Sequence, residues 1–137
     1  GSVAFADAMM AANADLADRI VARADLPARE AAEHLAACDL LLQPYSDGVS
    51  SRRTSVMAGL ALGRAIVTTE GVVTEPIWRS AALVELLPAA DCAGMVERSE
   101  MLLGAPEVRE RLGDRARQGY RSLFCCERMI ATLRASL

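Results

Sequence analysis

At 137 residues, 53% of them hydrophobic, the chain is long enough to bury one core without disulfides or metals, so a globular domain is expected over 1–137. A net charge of −3, from 15 basic and 18 acidic residues, excludes a surface that tracks phosphates along a strand, and with it general nucleic-acid binding. No apolar run approaches the ~18 residues of a membrane span, and no signal peptide is visible.

Every basic residue is arginine, so an anion site built from them has to be local. The four cysteines, Cys38, Cys92, Cys125 and Cys126, show no Cys-x-x-Cys spacing, and the neighbours Cys125 and Cys126 are poor partners for each other. This usage fits reduced thiols in a cytoplasmic protein. His34, alone on the polar side of a helical pattern, reads as solvated, and no metal site is expected. The opening Gly1-Ser2-Val3 has no methionine and resembles a tag-cleavage remnant at 1–2, which points to a piece of a longer protein.

In chain order, Phe5, Met9 and Ala12 stand at helical spacing, and Arg-Ile-Val-Ala-Arg-Ala at 19–24 offers a short β-branched strand. Pro27 suits a first helical turn, after which Ala28, Ala31, Ala32, Leu35 and Cys38 form one stripe, with Arg29, Glu30, Glu33 and His34 opposite. Leu-Leu-Leu-Gln-Pro-Tyr at 40–45 predicts a buried parallel strand ended by proline. A helix over about Arg52 to Leu62 would bury Val56, Met57, Leu60 and Ala61 and stop at Gly63.

Residues 64–69 predict a second strand, the segment through Glu75-Pro76-Ile77-Trp78 a loop and short helix, and 82–88 a third strand closed by Pro88. Asp91 can cap a helix lined by Cys92, Met95, Val96, Leu102 and Leu103. Pro106 starts another, carrying Val108, Leu112 and Ala116, and the tail is amphipathic through Met129, Ile130 and Leu133. Strict alternation of strand and helix predicts an α/β fold with a parallel sheet.

Sheets of this kind take ligands beyond the C-terminal ends of their strands, where Asp-Gly-Val-Ser-Ser-Arg-Arg-Thr-Ser at 47–55 falls. A helix N-terminus there offers unpaired N–H groups and partial positive charge, both suited to phosphate. Gly48 lets backbone approach closely, Ser50, Ser51 and Thr54 add hydroxyls, and Arg52 and Arg53 have the fork geometry to clamp phosphate oxygens. Asp47 would repel phosphate and suits sugar hydroxyls instead. The same residues also fit a plainer role, with Ser50 or Ser51 capping the helix and both arginines solvated.

The order of Cys38-Asp39, Pro44, Asp47-Gly48, Ala61-Leu62-Gly63 and Thr69, followed by the helix from Pro106 and the segment Phe124 to Glu127, resembles the C-terminal part of bacterial group 1 retaining glycosyltransferases of the GT-B class. The resemblance runs over about residues 16 to 137. It implies a Rossmann-like parallel sheet flanked by helices, the C-terminal and incomplete part of a GT-B domain, with an unpaired edge that favours self-association.

It further implies a nucleotide-sugar as substrate, no cofactor, and a glycan or lipid-linked acceptor held by an absent N-terminal domain. The setting it implies is cytoplasmic and peripheral at the inner membrane face. On that resemblance Asp47 meets the donor sugar, Gly48, Ser50, Ser51, Arg52, Arg53 and Thr54 cradle diphosphate, and Glu75 loosely matches a donor-site acid. The catalytic residues stay unassigned, and the fragment alone is expected to be inactive. The sequence departs from the family at Ala58, where a ribose-binding Glu is usual, in a loop about three residues longer, and at Cys125-Cys126, which replace a Ser-Trp pair. Two alternatives stand beside this: a sugar-nucleotide epimerase of the same class, and an α/β interaction module whose Arg52 and Arg53 meet an acidic protein surface.

Overall fold

In the computed structural model the described residues are 2–135, without the side chains of Ser2, Val3 and Met129. Two compact units divide at Ala31 and Ala32. The first holds helix α1 (Ser2–Ala12), a 3-10 turn (Ala14–Arg19) and the start of α2 (Ala28–Ala37). Asn13 ends α1, its Nδ2 donating to the Met9 carbonyl at 2.9 Å. None of the described side chains in this unit is buried, and Phe5 and Met9 of the expected apolar stripe are 69% and 43% exposed.

The strand expected at 19–24 does not form. Arg19 closes the 3-10 turn, and Ile20 is extended but has no ladder partner among the described residues. Extended backbone is cheap for a β-branched residue, whereas a strand also needs paired N–H and C=O groups.

The second unit contains the sheet: β1 (Leu41–Gln43), β2 (Ile66–Glu70) and β3 (Glu85–Pro88), parallel and in the order β1-β2-β3. Register places Leu41 beside Ile66, and Val67 between Leu42 and Glu85. Helix α3 (Thr54–Ala61) connects β1 to β2, and α4 (Pro76–Ala81) connects β2 to β3. Then follow α5 (Cys92–Gly104), α6 (Pro106–Gly119), a π-helical turn (Tyr120–Phe124) and α7 (Cys126–Ala135). The chain is thus α/β, with a small open parallel sheet flanked by helices in a Rossmann-like arrangement.

Side chains alternate across a strand, so adjacent residues of β2 enter different cores. Ile66 packs with Leu41, Val56, Leu60, Trp78, Leu83, Val84 and Ala116. Val67 packs with Ala65, Met95, Leu102 and Leu112. Burial of 65–69 is continuous, as expected of a strand covered on both faces. Leu42, on an edge strand, is 53% exposed.

Several expected core positions lie outside these clusters. Ala61 is exposed, and of the stripe on α5 only Met95 and Leu102 are buried, leaving Cys92, Val96 and Leu103 in solvent. Helix α5 packs against β2, β3 and α6, and the part of its apolar face that these elements do not cover stays in solvent.

The arginines explain much of the packing between helices. Carbonyls at a helix C-terminus lack intrahelical partners and carry partial negative charge, which a guanidinium can satisfy. Arg64 donates to the Ala36 carbonyl at the end of α2, and Arg117 to Leu62 at the end of α3. Arg115 reaches Ala82 after α4, while Arg109 spans Leu102 and Leu103 in α5 and pairs with Asp39. Gly63 follows α3 at φ 67° as expected, and the Asp91 carboxylate caps α5 by accepting from Gly94 N–H at 2.9 Å.

At the C-terminal edge the loops after β1 and β2 meet backbone to backbone. Gly48 has φ 95°, and a Cβ there would strike Gly71 N and Thr74 Oγ1. Gly48→Ala is therefore expected to cost about 1–3 kcal/mol in urea denaturation. Gly104→Ala, where a Cβ meets nothing within 4 Å, should change stability by less than about 0.5 kcal/mol.

Candidate functional site

The loop after β1 is shaped by Thr69. Its hydroxyl donates to the Tyr45 carbonyl at 2.6 Å and accepts from Tyr45 N–H at 2.7 Å, so one buried side chain serves both backbone groups of a residue in the neighbouring loop. Val49 N–H then donates to the Thr69 carbonyl at 2.8 Å, and Val73 N–H to the Asp47 carbonyl at 3.1 Å. With Gly48 against Gly71, these bonds leave the 47–53 loop little freedom.

A cleft of about 450 Å³ opens at this edge, lined by Asp47, Ser50, Arg52, Arg53, Val73 and Glu75. Five of the eight residues singled out in the sequence therefore share one cavity. Gly48 is buried and acts on loop shape, while Ser51 and Thr54 are exposed and do not line the cleft.

The two adjacent arginines have different surroundings. Arg53 Nη2 is paired directly with Asp47 Oδ1, and its guanidinium lies over the Tyr45 ring, 4.4 Å from the centroid. That ring is fixed in turn, because the Tyr45 hydroxyl contacts Ser55 Oγ at 2.9 Å and donates to Gln43 Oε1 at 3.2 Å. Arg53 Nε is buried and has no hydrogen-bond partner among the described residues. Arg52 is exposed and has no ionic or hydrogen-bond partner among the described residues.

Neither serine caps the helix. The N-cap of α3 is Arg53, no side chain caps it, and its first turn holds no acidic residue. Helix α3 starts at Thr54, two residues later than its sequence pattern predicts, because Arg53 N–H closes a turn onto the Ser50 carbonyl at 3.0 Å. Ser50 is 8% exposed and lines the cleft, and its hydroxyl has no hydrogen-bond partner among the described residues. As a lining residue, Ser50 can offer its hydroxyl to a group in the cavity as donor or acceptor.

Glu75 precedes α4 without capping it. Its carboxylate accepts the Ser51 hydroxyl at 2.6 Å, the Ser51 N–H at 3.1 Å and the Trp78 indole N–H at 2.9 Å. Burial alone would raise this carboxyl. The Ser51 hydroxyl, the Glu75 and Ser51 backbone N–H groups and the Trp78 indole outweigh burial and hold it below the ordinary glutamate value. Glu75 thus fastens the 47–53 loop to the buried Trp78, whose ring stacks on Phe124 at 5.6 Å.

Tyr45, Val73 and Trp78 were not marked by the sequence as site residues. Trp78 lies three positions after Glu75 across a helix start, a spacing that brings side chains together, and it was the available signal. Ala58, the position at which the family resemblance implies a ribose-binding acid, sits half-buried within α3.

Among the described residues no group of three or more His, Cys, Asp or Glu is placed to hold a metal, and no helix is long and apolar enough to cross a membrane. No family model, curated protein or solved structure matches the chain.

A group whose folded pKa is depressed contributes stability above its unfolded pKa, and that contribution disappears as pH falls through the folded value. Glu75→Gln should therefore lower stability near neutrality by about 1 kcal/mol, allowing for solvent screening of a half-exposed carboxylate. The gap between wild type and variant should close as pH falls below the ordinary glutamate value. A gap that stays constant in urea denaturation across that acid range would show that carboxylate charge is not what holds Ser51 and Trp78.

Proposed function

We propose that the cleft binds the diphosphate and sugar of a nucleotide-sugar, and that the chain is the C-terminal, donor-binding portion of a retaining GT-B glycosyltransferase acting on a glycan or lipid-linked acceptor. The observation that carries this reading is the meeting, in one cleft, of Ser50, an uncapped helix N-terminus and the guanidinium of Arg52, which has no partner among the described residues. Hydroxyl, backbone N–H and guanidinium are all donors, and they converge where open parallel sheets take ligands. A ligand rich in acceptor oxygens satisfies the set, and a cleft of about 450 Å³ has room for more than one phosphate.

The roles differ in part from those implied by the family resemblance. Ser50 Oγ, Arg52 and the first N–H groups of α3 meet the diphosphate, with Thr54 at the rim. Gly48 and the Ser51–Glu75 pair hold the loop in shape. Asp47 faces the sugar, and Arg53, its ion-pair partner, lies within reach of the phosphates. Acceptor and catalytic groups come from a separate domain, and the parent enzyme works in the cytoplasm, peripheral to the membrane where its acceptor is lipid-linked.

Titration of the ¹⁵N-labelled chain with UDP, GDP and dTDP tests this. At least one nucleotide should shift amides within 47–54 and 70–75 and leave the rest of the spectrum in place. Arg52→Ala should weaken that nucleotide by about tenfold or more, since a charge-assisted hydrogen bond is worth about 1.5–3 kcal/mol, with no change in thermal stability. Cleft amides that stay still with all three nucleotides would remove the donor-site assignment.

A further inference from the structure

We infer that Asp47 gates the cleft against bare anions, so that full affinity requires a phosphate ester carrying a hydroxyl-rich group. The inference rests on the donor-site reading and assigns to Asp47 the discrimination between a glycosyl phosphate and phosphate alone.

Asp47 and Arg53 both line the cleft and neutralise each other there, with side chains 46% and 32% exposed. An entering phosphate meets the Asp47 carboxylate as a like charge and finds Arg53 already committed, which leaves Arg52 as the free cation. Drawing Arg53 away would strand the Asp47 carboxylate without a donor, and a bare phosphate at neutral pH has little to offer in return. A sugar has several hydroxyls, and an ionised carboxylate can accept about four hydrogen bonds. A glycosyl phosphate can therefore replace Arg53 on Asp47 with its hydroxyls while its phosphate takes the released guanidinium.

Two features make the exchange inexpensive. The Tyr45 ring under Arg53 is held by Gln43 and Ser55, so the guanidinium can turn from Asp47 toward the cleft while keeping its stacking contact. Arg53 Nε, buried and without a hydrogen-bond partner among the described residues, gains an acceptor if the guanidinium turns onto phosphate.

The test needs no knowledge of the nucleotide. Inorganic phosphate, pyrophosphate, glucose 1-phosphate and mannose 1-phosphate are titrated into wild type, Asp47→Asn and Asp47→Ser, with amide shifts as the readout and spectral dispersion as the check on folding. Wild type should bind at least one hexose phosphate about threefold to fivefold more tightly than inorganic phosphate, the scale of one screened charge contact. Both variants should bind phosphate and pyrophosphate about threefold to fivefold more tightly than wild type does, and should lose the preference for the sugar ester. Asparagine keeps an acceptor for Arg53, and the Asp47 carbonyl still receives Val73 N–H in either variant, so the loop has reason to persist.

Folded variants whose phosphate affinity is unchanged or weaker would overturn the gate and leave Asp47–Arg53 as a structural pair. If the cleft amides still move with a nucleoside diphosphate in that case, the donor site stands without its gate. If they move with no nucleotide, both fall.

Discussion

The buried hydroxyl of Thr69 is the contact on which the site depends. Parallel strands leave the ladder at their C-terminal ends with backbone groups still to satisfy, and the two loops here would otherwise diverge. By donating to the carbonyl and accepting from the N–H of Tyr45, Thr69 extends the pairing of β1 and β2 past the last ladder residue. Val49 bonds back to the Thr69 carbonyl, and the close approach of Gly48 to Gly71 becomes possible. Removing that anchoring would release Asp47, Ser50 and Arg53 together, because all three sit on the segment it fixes.

Charge in the cleft is divided by geometry more than by composition. Asp47, Arg52, Arg53 and Glu75 formally cancel, yet three of the four already have partners: Asp47 and Arg53 hold each other, and Glu75 holds Ser51 and Trp78. Arg52 is the free charge, and beside it the bare end of α3 adds partial positive potential. The local field therefore favours an anion although the chain carries a net charge of −3. Four other arginines are spent differently, Arg64, Arg109, Arg115 and Arg117 lying on carbonyls at helix ends. In a protein without lysine, arginine does the work of helix capping as well as of anion contact, so arginine number alone is a poor guide to the site.

Features of the fold that were legible in the sequence are local ones. Three apolar runs gave the three strands, Gly63 and Asp91 marked their helix ends, and Val56, Leu60, Leu112 and Ala116 were recognisable as core. Each depends on a few neighbouring residues. The extended segment at 19–24 failed because a strand also needs a partner, which its own sequence cannot supply. The stripe on α5 was read too wide because the position of the next element decides which part of an apolar face is covered. In the site, the loop and its edge of the sheet were legible, but the difference between Arg52 and Arg53 was not. It arises from Tyr45 and Asp47 beneath one of them, and two identical side chains carry no mark of that. Glu75 was visible as an acid at a helix start, while its bonds to Ser51 required folding two distant loops together.

The cleft is also tied to the far end of the chain. Phe124 closes the π-helical turn after α6 and stacks on Trp78; the indole N–H of Trp78 donates to Glu75; and Glu75 holds the N–H and hydroxyl of Ser51, next to Arg52. Gly119, with no side chain, lets α6 press onto Leu83, which places the turn over the same core. Aromatic stacking and a charge-assisted indole bond are both sensitive to geometry, so a shift of the 120–124 turn would be transmitted to the loop that carries Ser50 and Arg52. The segment after Gly119 therefore belongs to the support of the site, although no residue of it reaches the cleft. In a sheet of three strands the loops have few neighbours to hold them, and the turn after α6 is one of them through the stacking of Phe124 on Trp78.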